Sequence, residues 1–240
     1  SISEKFINHF KEAAQKYIDL FKLKKSSFII DVGSNDGIGL KPFKDHGFNN
    51  ILGFEPSKKL CAESKKQGIR TLNRFFNKKN TSNLNNKADL ILASNVFAHN
   101  DDLDSLFISM KNTIKKSGRI VIEVQYFLNT IKDYTFDNIY HEHTNYWTLN
   151  SIINFISKYN CKIFDVEKID THGGSIRVYI SKNLKLKVSK NVKKVLDEEK
   201  AFQVTNKEKY LKFQKDLNKI KFNVSKNISW LKKKYKKIYG

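Results

Sequence analysis

The segment Asp31-Val32-Gly33-Ser34-Asn35-Asp36-Gly37 sets two carboxylates among two glycines, directly after the apolar run Phe28-Ile29-Ile30. It reads as a strand ending in an acid, a tight turn, and a helix beginning near Leu40. At the end of a first strand in a parallel α/β sheet, such a turn is a cofactor site. The charges select the cofactor. A dinucleotide pyrophosphate needs a G-x-G-x-x-G loop of bare backbone N–H groups, and that spacing is absent. Asp31 and Asp36 would repel a pyrophosphate but suit a cation, and S-adenosylmethionine brings a sulfonium and an α-ammonium. The competing reading is an ordinary strand-to-helix turn with an Asp cap.

A second acid follows at the right distance. Asn50-Ile51-Leu52-Gly53-Phe54-Glu55 is a strand closing on Glu55, 24 positions after Asp31. An acid there accepts hydrogen bonds from both ribose hydroxyls of a nucleoside. Pro56 stops this strand and Ser57 can cap the next helix. Phe75-Phe76 offers an aromatic face to adenine, with core packing as the alternative. Asn95 and His99 follow the strand from Ala88 to Ala93, at the edge where open sheets bind ligands; a helix cap and a surface histidine are the bland reading. The expected cofactor-binding set is Asp31, Gly33, Asn35, Asp36, Gly37, Glu55, Pro56, Phe76 and Asn95.

A second concentration of chemistry lies in residues 126–147, which contain Phe136-Asp137-Asn138-Ile139-Tyr140-His141-Glu142-His143. In an extended segment His141 and His143 share one face, with Tyr140 and Glu142 on the other. A histidine of near-neutral pKa is a candidate general base, and a neighbouring carboxylate would orient it. The H-x-H spacing lacks the i, i+4 pattern of helical zinc sites, and no metal site is expected. A hydrogen-bonded surface loop is the competing reading.

These residues need a scaffold, and the hydrophobic periodicity supplies one. An amphipathic helix covers Glu4 to Leu23, and further helices are expected over Leu40 to His46, Lys58 to Gln67, Leu103 to Ile114 (broken by Gly118) and Leu149 to Tyr159. Arg70 to Leu72 and Arg119 to Val124 complete the strands of a parallel sheet. The polar residues 77–87 read as loop. Lys162 to Ile169 and Ser175 to Ile180 flank His172-Gly173-Gly174 as a hairpin. The fold class is α/β, a Rossmann-like, mostly parallel sheet with an antiparallel C-terminal hairpin. From Val188 onward Leu217, Ile220, Val224, Ile228, Leu231, Tyr235 and Ile238 recur at helical steps, without proline or glycine from Ser189 to Tyr239. This divides the chain into a cofactor-binding domain, residues 1–182, and a basic helical extension, residues 183–240.

The 240 residues carry a net charge of +21, which invites a nucleic-acid reading. Residues 182–240 hold 19 of the lysines against five acids, and the whole chain has four arginines, the residue favoured for bidentate phosphate contacts. A solvated basic face therefore explains the charge better than a nucleic-acid groove. Cys61 and Cys161 are isolated, so neither a disulfide framework nor a zinc module is indicated. The chain has no run of membrane-spanning length and no signal-peptide layout at its first residues; a soluble cytoplasmic protein is expected.

Taken together, Asp31-Val32-Gly33-Ser34-Asn35-Asp36-Gly37, Asn95-Val96-Phe97-Ala98-His99, the block from Phe136 to His143, and His172-Gly173-Gly174-Ser175-Ile176-Arg177-Val178 resemble the C-methyltransferases of nucleotide-linked deoxy-keto-sugars, over about residues 3–180. The resemblance implies a class I methyltransferase fold, S-adenosylmethionine as cofactor and a small-molecule keto-sugar substrate. It makes His143 the base, with Tyr140, Glu142 and His99 around the reacting sugar. It also implies a larger enzyme, with a cysteine-rich zinc module before this core and a second Rossmann-like domain after it. On that expectation the chain is cut at both ends, leaving a complete cofactor site, an incomplete substrate site and an apolar stripe on the last helix open to self-association. A naturally short relative with another acceptor, an N- or O-methyltransferase acting on RNA, and a non-catalytic core are the alternatives.

Overall fold

Short apolar runs build the centre of the sheet. In the computed structural model, which describes residues 4–171, 173–235 and 237, α1 (Glu4–Phe21) precedes β1 (Ile29–Val32), α2 (Lys41–Asp45), β2 (Ile51–Phe54), α3 (Lys58–Lys66) and β3 (Thr71–Leu72). Every residue of β1 and β2 is buried, as parallel strands covered on both faces require. Ser57 caps α3 by accepting a hydrogen bond from the Leu60 N–H. Within the expected polar loop the chain forms α4 (Lys78–Thr81), because the Asn77 side chain caps it at the Asn80 N–H and Thr81 is buried.

β4 (Ala88–Ser94), α5 (Leu103–Thr113) and β5 (Ile114–Gln125) follow. The expectation that Gly118 ends α5 is corrected: the helix stops at Thr113 because Ile114 already pairs with Ala88 of β4, and Gly118 lies inside β5. A second correction is α6 (Phe127–Lys132), a helix inside the stretch read as loop, held by the burial of Leu128, Thr130 and Ile131. Then come α7 (Leu149–Ser157), opened by a Thr148–Ser151 capping box, β6 (Lys162–Ile169) and β7 (Ser175–Ser181).

The described strands form one seven-stranded sheet in the order β3-β2-β1-β4-β5-β7-β6, with β7 antiparallel to both neighbours. The chain moves outward from β1 through β2 to β3, then returns to place β4 on the other side of β1. That reversal opens a crevice at the carboxyl ends of β1 and β4. α1 packs Ala13, Ala14 and Tyr17 against the sheet.

The basic tail is a helical pair, α8 (Lys190–Phe202) and α9 (Lys207–Lys234), broken where Gln203 adopts a left-handed conformation and Asn206 caps the second helix. The Glu199 carboxylate on α8 accepts hydrogen bonds from the Leu149 and Asn150 N–H groups and the Tyr126 hydroxyl, tying the pair to the start of α7. Near its start α9 stacks Phe213 on Tyr134, whose hydroxyl donates to Asp216. Ile220, Val224 and Ile228 of the apolar stripe are exposed, and Ile238 lies outside the described residues. Among the described residues no helix is long and apolar enough to cross a membrane.

Candidate cofactor and acceptor sites

The turn after β1 is shaped by its backbone. Gly33, Asn35 and Gly37 have φ of +67°, +53° and +91°. A Cβ on Gly33 would be strained by that φ and would stand 2.8 Å from Val96 Cγ2. Glu55, buried at the end of β2, pins the turn: one carboxylate oxygen accepts from the Asn35 N–H at 2.9 Å and the other from the Ser57 N–H at 2.7 Å. Each oxygen keeps a further lone pair, and Glu55 lines the crevice. Asn73 donates to the Glu55 and Pro56 carbonyls and fixes that strand end.

The crevice is a cleft of about 670 Å³, within the usual size of a small-molecule site. Asp31, Gly33, Asn35, Glu55, Pro56, Phe76, Asn95 and His99 all line it, so the turn, the second strand end and the fourth strand end converge as the sequence analysis expects. Phe76 is buried, packs edge-on against Phe54 at 4.9 Å and presents its remaining surface to the cleft. Asn95 is itself left-handed, with φ +58°, and its N–H donates to the Glu123 carbonyl. Asp36 and Gly37 do not line the cleft. The Asp36 carboxylate accepts the Ile38 N–H at 3.2 Å, a local turn, so the second negative charge at the cleft comes from Glu55 instead.

Asp31 is 6% exposed, and its carboxyl accepts no hydrogen bond among the described residues. Burial, reinforced by the nearby Glu55 charge, pushes its pKa up to about 8. Gly39 gives it room, since a Cβ there would stand 2.6 Å from Asp31 Oδ2. A buried carboxyl of this kind is completed by a cation. Among the described residues the lining carries the acids Asp31, Glu55 and Asp102 and the base Arg74; a cation beside Asp31 would favour release of its proton, so this lining fits a sulfonium and an ammonium and opposes a pyrophosphate.

Beside the cleft stands an aromatic and histidine cluster. His99, on the 3-10 turn Phe97–His99, donates from Nδ1 to the Glu142 carbonyl at 3.0 Å, and its ring lies 4.7 Å from that of His143. His143 Nδ1–H donates to the Asn138 carbonyl at 2.8 Å, leaving Nε2 as the basic nitrogen, which accepts the Tyr140 hydroxyl at 3.1 Å. The segment is stitched to the end of β4 by hydrogen bonds from the Thr144 N–H to the Ala98 carbonyl and from Asn145 to the Asn100 carbonyl. The expected alternation of faces is corrected. Residues 140–143 form a turn, closed by the His143 N–H on the Tyr140 carbonyl, so Tyr140 and His143 meet while His141 and Glu142 face outward. The group orienting His143 is the Asn138 carbonyl and not the Glu142 carboxylate. His172 lies outside the described residues.

Sequence reasoning missed the wall contributed by α1, whose Phe6 and Phe10 line the cleft, and the charged cluster behind it. Arg177 on β7 pairs with Glu123 of β5 at 3.0 Å and with Glu167 of β6 at 2.6 Å, all largely buried, and His9 of α1 donates to Glu123 at 2.9 Å. The available signal was a charge inside each of two apolar runs, Ile122-Glu123-Val124 and Ile176-Arg177-Val178.

Comparison with known proteins agrees with this geometry. Residues 6–166 match the model of a methyltransferase domain, and residues 170–240 match that of a C-methyltransferase C-terminal domain. The chain is 26% identical over 176 residues to the C-methyltransferase NovU of Streptomyces niveus, an alignment covering 72% of this chain and 42% of NovU. It thus spans less than half the length of that relative. Among solved structures it is similar to the PH0226 protein of Pyrococcus horikoshii (TM-score 0.59, 13% identity, 75% of this chain and 92% of that one). It is also similar to the magnesium protoporphyrin IX methyltransferase of Synechocystis with bound S-adenosylhomocysteine (TM-score 0.58, 11% identity, 75% and 88%). An acid-lined glycine turn on a seven-stranded sheet with one antiparallel strand, in a chain matched by that domain model over two thirds of its length, has one reading: the chain belongs to the family of S-adenosylmethionine-dependent methyltransferase domains.

Proposed function

We propose that this chain is the core of a C-methyltransferase that deprotonates a carbon next to a ketone and methylates it, the acceptor being a nucleotide-linked keto-deoxysugar. The observation that carries the reading is the cluster of Tyr140, His143 and His99 at the mouth of the cofactor cleft, in which one histidine nitrogen is held as a base. The name of the NovU relative and the match of residues 170–240 support carbon as the methylated atom. The keto-sugar rests on the resemblance of the sequence blocks around Tyr140–His143 and Gly173–Val178.

When bound, S-adenosylmethionine supplies an electrophilic methyl group. Asp31 would hold its cationic end, Glu55 would accept from its ribose hydroxyls, and Phe76 would border its base. His143 Nε2 takes the proton from the carbon next to the ketone, and the Asn138 carbonyl stabilises the imidazolium through Nδ1–H. Tyr140, displaced from Nε2 by the acceptor, donates its hydroxyl to the developing enolate oxygen, or His99 does so. A positioned base contributes about 10²–10⁴-fold, and an enolate donor about 10²–10³-fold. Glu142 sets the His99 tautomer through its carbonyl, and its outward carboxylate is available to sugar hydroxyls. Residues 1–182 are the catalytic core in this reading and 183–240 its helical extension. A polyanionic acceptor such as RNA is disfavoured, because among the described residues Arg74 is the one cationic side chain of the cleft lining.

The test is methyl transfer to a nucleotide-linked keto-deoxysugar, read by mass spectrometry, alongside calorimetric binding of S-adenosylhomocysteine. The reading requires that His143→Ala slow transfer by about 10²–10⁴-fold and keep binding; equal loss of both would refute the role of His143.

A further inference from the structure

We infer that His9 is a positioning residue for the cofactor: anchored on the buried Glu123–Arg177 pair, it holds the first turns of α1 so that Phe10 closes the cleft over Asp31. This rests on the cofactor reading above.

The geometry begins with a spacing. Phe6, His9 and Phe10 stand at i, i+3 and i+4, so they share one face of α1. Their rings contact one another, with Phe6 and Phe10 edge-on at 5.0 Å and His9 and Phe10 edge-on at 5.2 Å. The two phenylalanines line the cleft. The histidine turns the other way, donating from Nε2 to Glu123 Oε1 at 2.9 Å, with Arg177 Nη2 at 3.3 Å from the same nitrogen.

The helix is not held evenly. Ala13, Ala14 and Tyr17 are buried on the sheet, whereas residues 4–8 are exposed or half-buried, and the Lys5–Asp170 pair that reaches them lies in water. An exposed ion pair contributes about 0–1 kcal/mol, too little to fix a helix end. His9, half-buried, gives that end a polar contact with the buried Glu123. Its partner is rigid, since Glu123 also takes Arg177 Nε and Nη2 at 3.1 and 3.0 Å, and Glu167 and Tyr17 hold the same guanidinium.

What the anchor positions is the wall next to Asp31. A Cβ built on Gly39 would stand 2.6 Å from Asp31 Oδ2 and 3.7 Å from Phe10 Cε1, so the ring edge and the carboxyl oxygen close on the same point. Phe10, Asp31 and Glu123 also border one water-sized void of about 10 Å³ beneath the helix. Releasing His9 would let the ring leave the carboxyl it shields, while Glu123 and Arg177 would remain paired with each other.

The experiment is a double-variant cycle read by calorimetric titration of the full chain with S-adenosylhomocysteine, with thermal melts of each variant. His9→Ala and Phe10→Ala are each expected to weaken binding by about fivefold to tenfold, the size of one aromatic contact. The double variant is expected to be no weaker than Phe10→Ala alone, because both changes remove the same wall. His9→Gln, which keeps a donor for Glu123, is expected to restore affinity to within about threefold of the parent; a role in stability alone would move melting without this coupling. Parent-like binding by His9→Ala, or full additivity in the double variant, overturns the inference and leaves the cofactor reading intact. If the parent chain itself fails to bind, both fall together.

Discussion

The two halves of the site differ in how their polar groups are held. At the cofactor half, Asp31 and Glu55 are each 6% exposed, and Glu55 is fixed by backbone N–H groups from two segments. At the acceptor half, Tyr140 is 41% exposed and the His141 and Glu142 side chains stand in water. Burial makes a carboxylate costly unless donors or a cation complete it, so the cofactor half is preformed to receive one ligand of one charge. The acceptor half is held by local carbonyls and one Tyr–His hydrogen bond, weak enough to be exchanged for contacts with a substrate. In the proposed reading, rigidity goes with the cofactor and adjustability with the acceptor.

Substitutions on the two sides should therefore separate. The largest effect is expected at His143→Ala, which should slow methyl transfer by about 10²–10⁴-fold and leave the dissociation constant of S-adenosylhomocysteine within about twofold. Next comes Glu55→Ala. Removing a charged acceptor of this kind costs about 1.5–3 kcal/mol, so S-adenosylhomocysteine should bind more weakly by one to two orders of magnitude, and saturating cofactor should recover transfer. If both variants lost binding and transfer in equal measure, the contrast between the halves would be gone.

A third effect is one of pH, read as melting rather than as rate or affinity. Folded Asp31 keeps its proton up to about 8, whereas in the unfolded chain an aspartate loses it near ~3.9. Between those values the folded state holds the extra proton, so this group's contribution to stability falls as pH rises. Asp31→Asn should remove that fall: the variant should melt above the parent at pH 8, with the gap narrowing toward pH 4. A ligand that brings a cation to Asp31 should flatten the parent's slope in the same melts. A parent slope unchanged by the substitution would mean that Asp31 ionises as an ordinary aspartate.

The cofactor half was legible in the sequence because its signals are local. Asp31 and Gly33 share one turn, and Glu55 follows at a spacing set by a single strand–helix–strand unit. The error there, Asp36, also came from locality, since an acid in a tight turn can bond its own backbone at Ile38 as readily as face a ligand. The acceptor half was legible by residue type and not by geometry. Period-two alternation put Tyr140 and His143 on opposite faces, and one turn brought them together. The clasp of His9, Glu123 and Arg177 joins residues up to 168 positions apart, and no local pattern encodes which charges meet across a sheet. Gly118 was misread for a related reason: a glycine after a helical run ends a helix only if no strand has claimed the preceding residues.

The reversed direction of β7 also decides which residues meet at the edge of the sheet. Because β7 runs against β5, Ser175 pairs with Gln125 at the active edge, and the Gly174 carbonyl accepts the Tyr126 N–H there. Gly173, just before β7, therefore lies on the same edge, against Asn138, the residue whose carbonyl orients His143. Gly173 and Gly174 lie outside the ladder that joins β1, β2 and β4. One antiparallel strand thus brings a separate part of the chain to the surroundings of Asn138, apart from the turn that carries Asp31 and the strand end that carries Glu55.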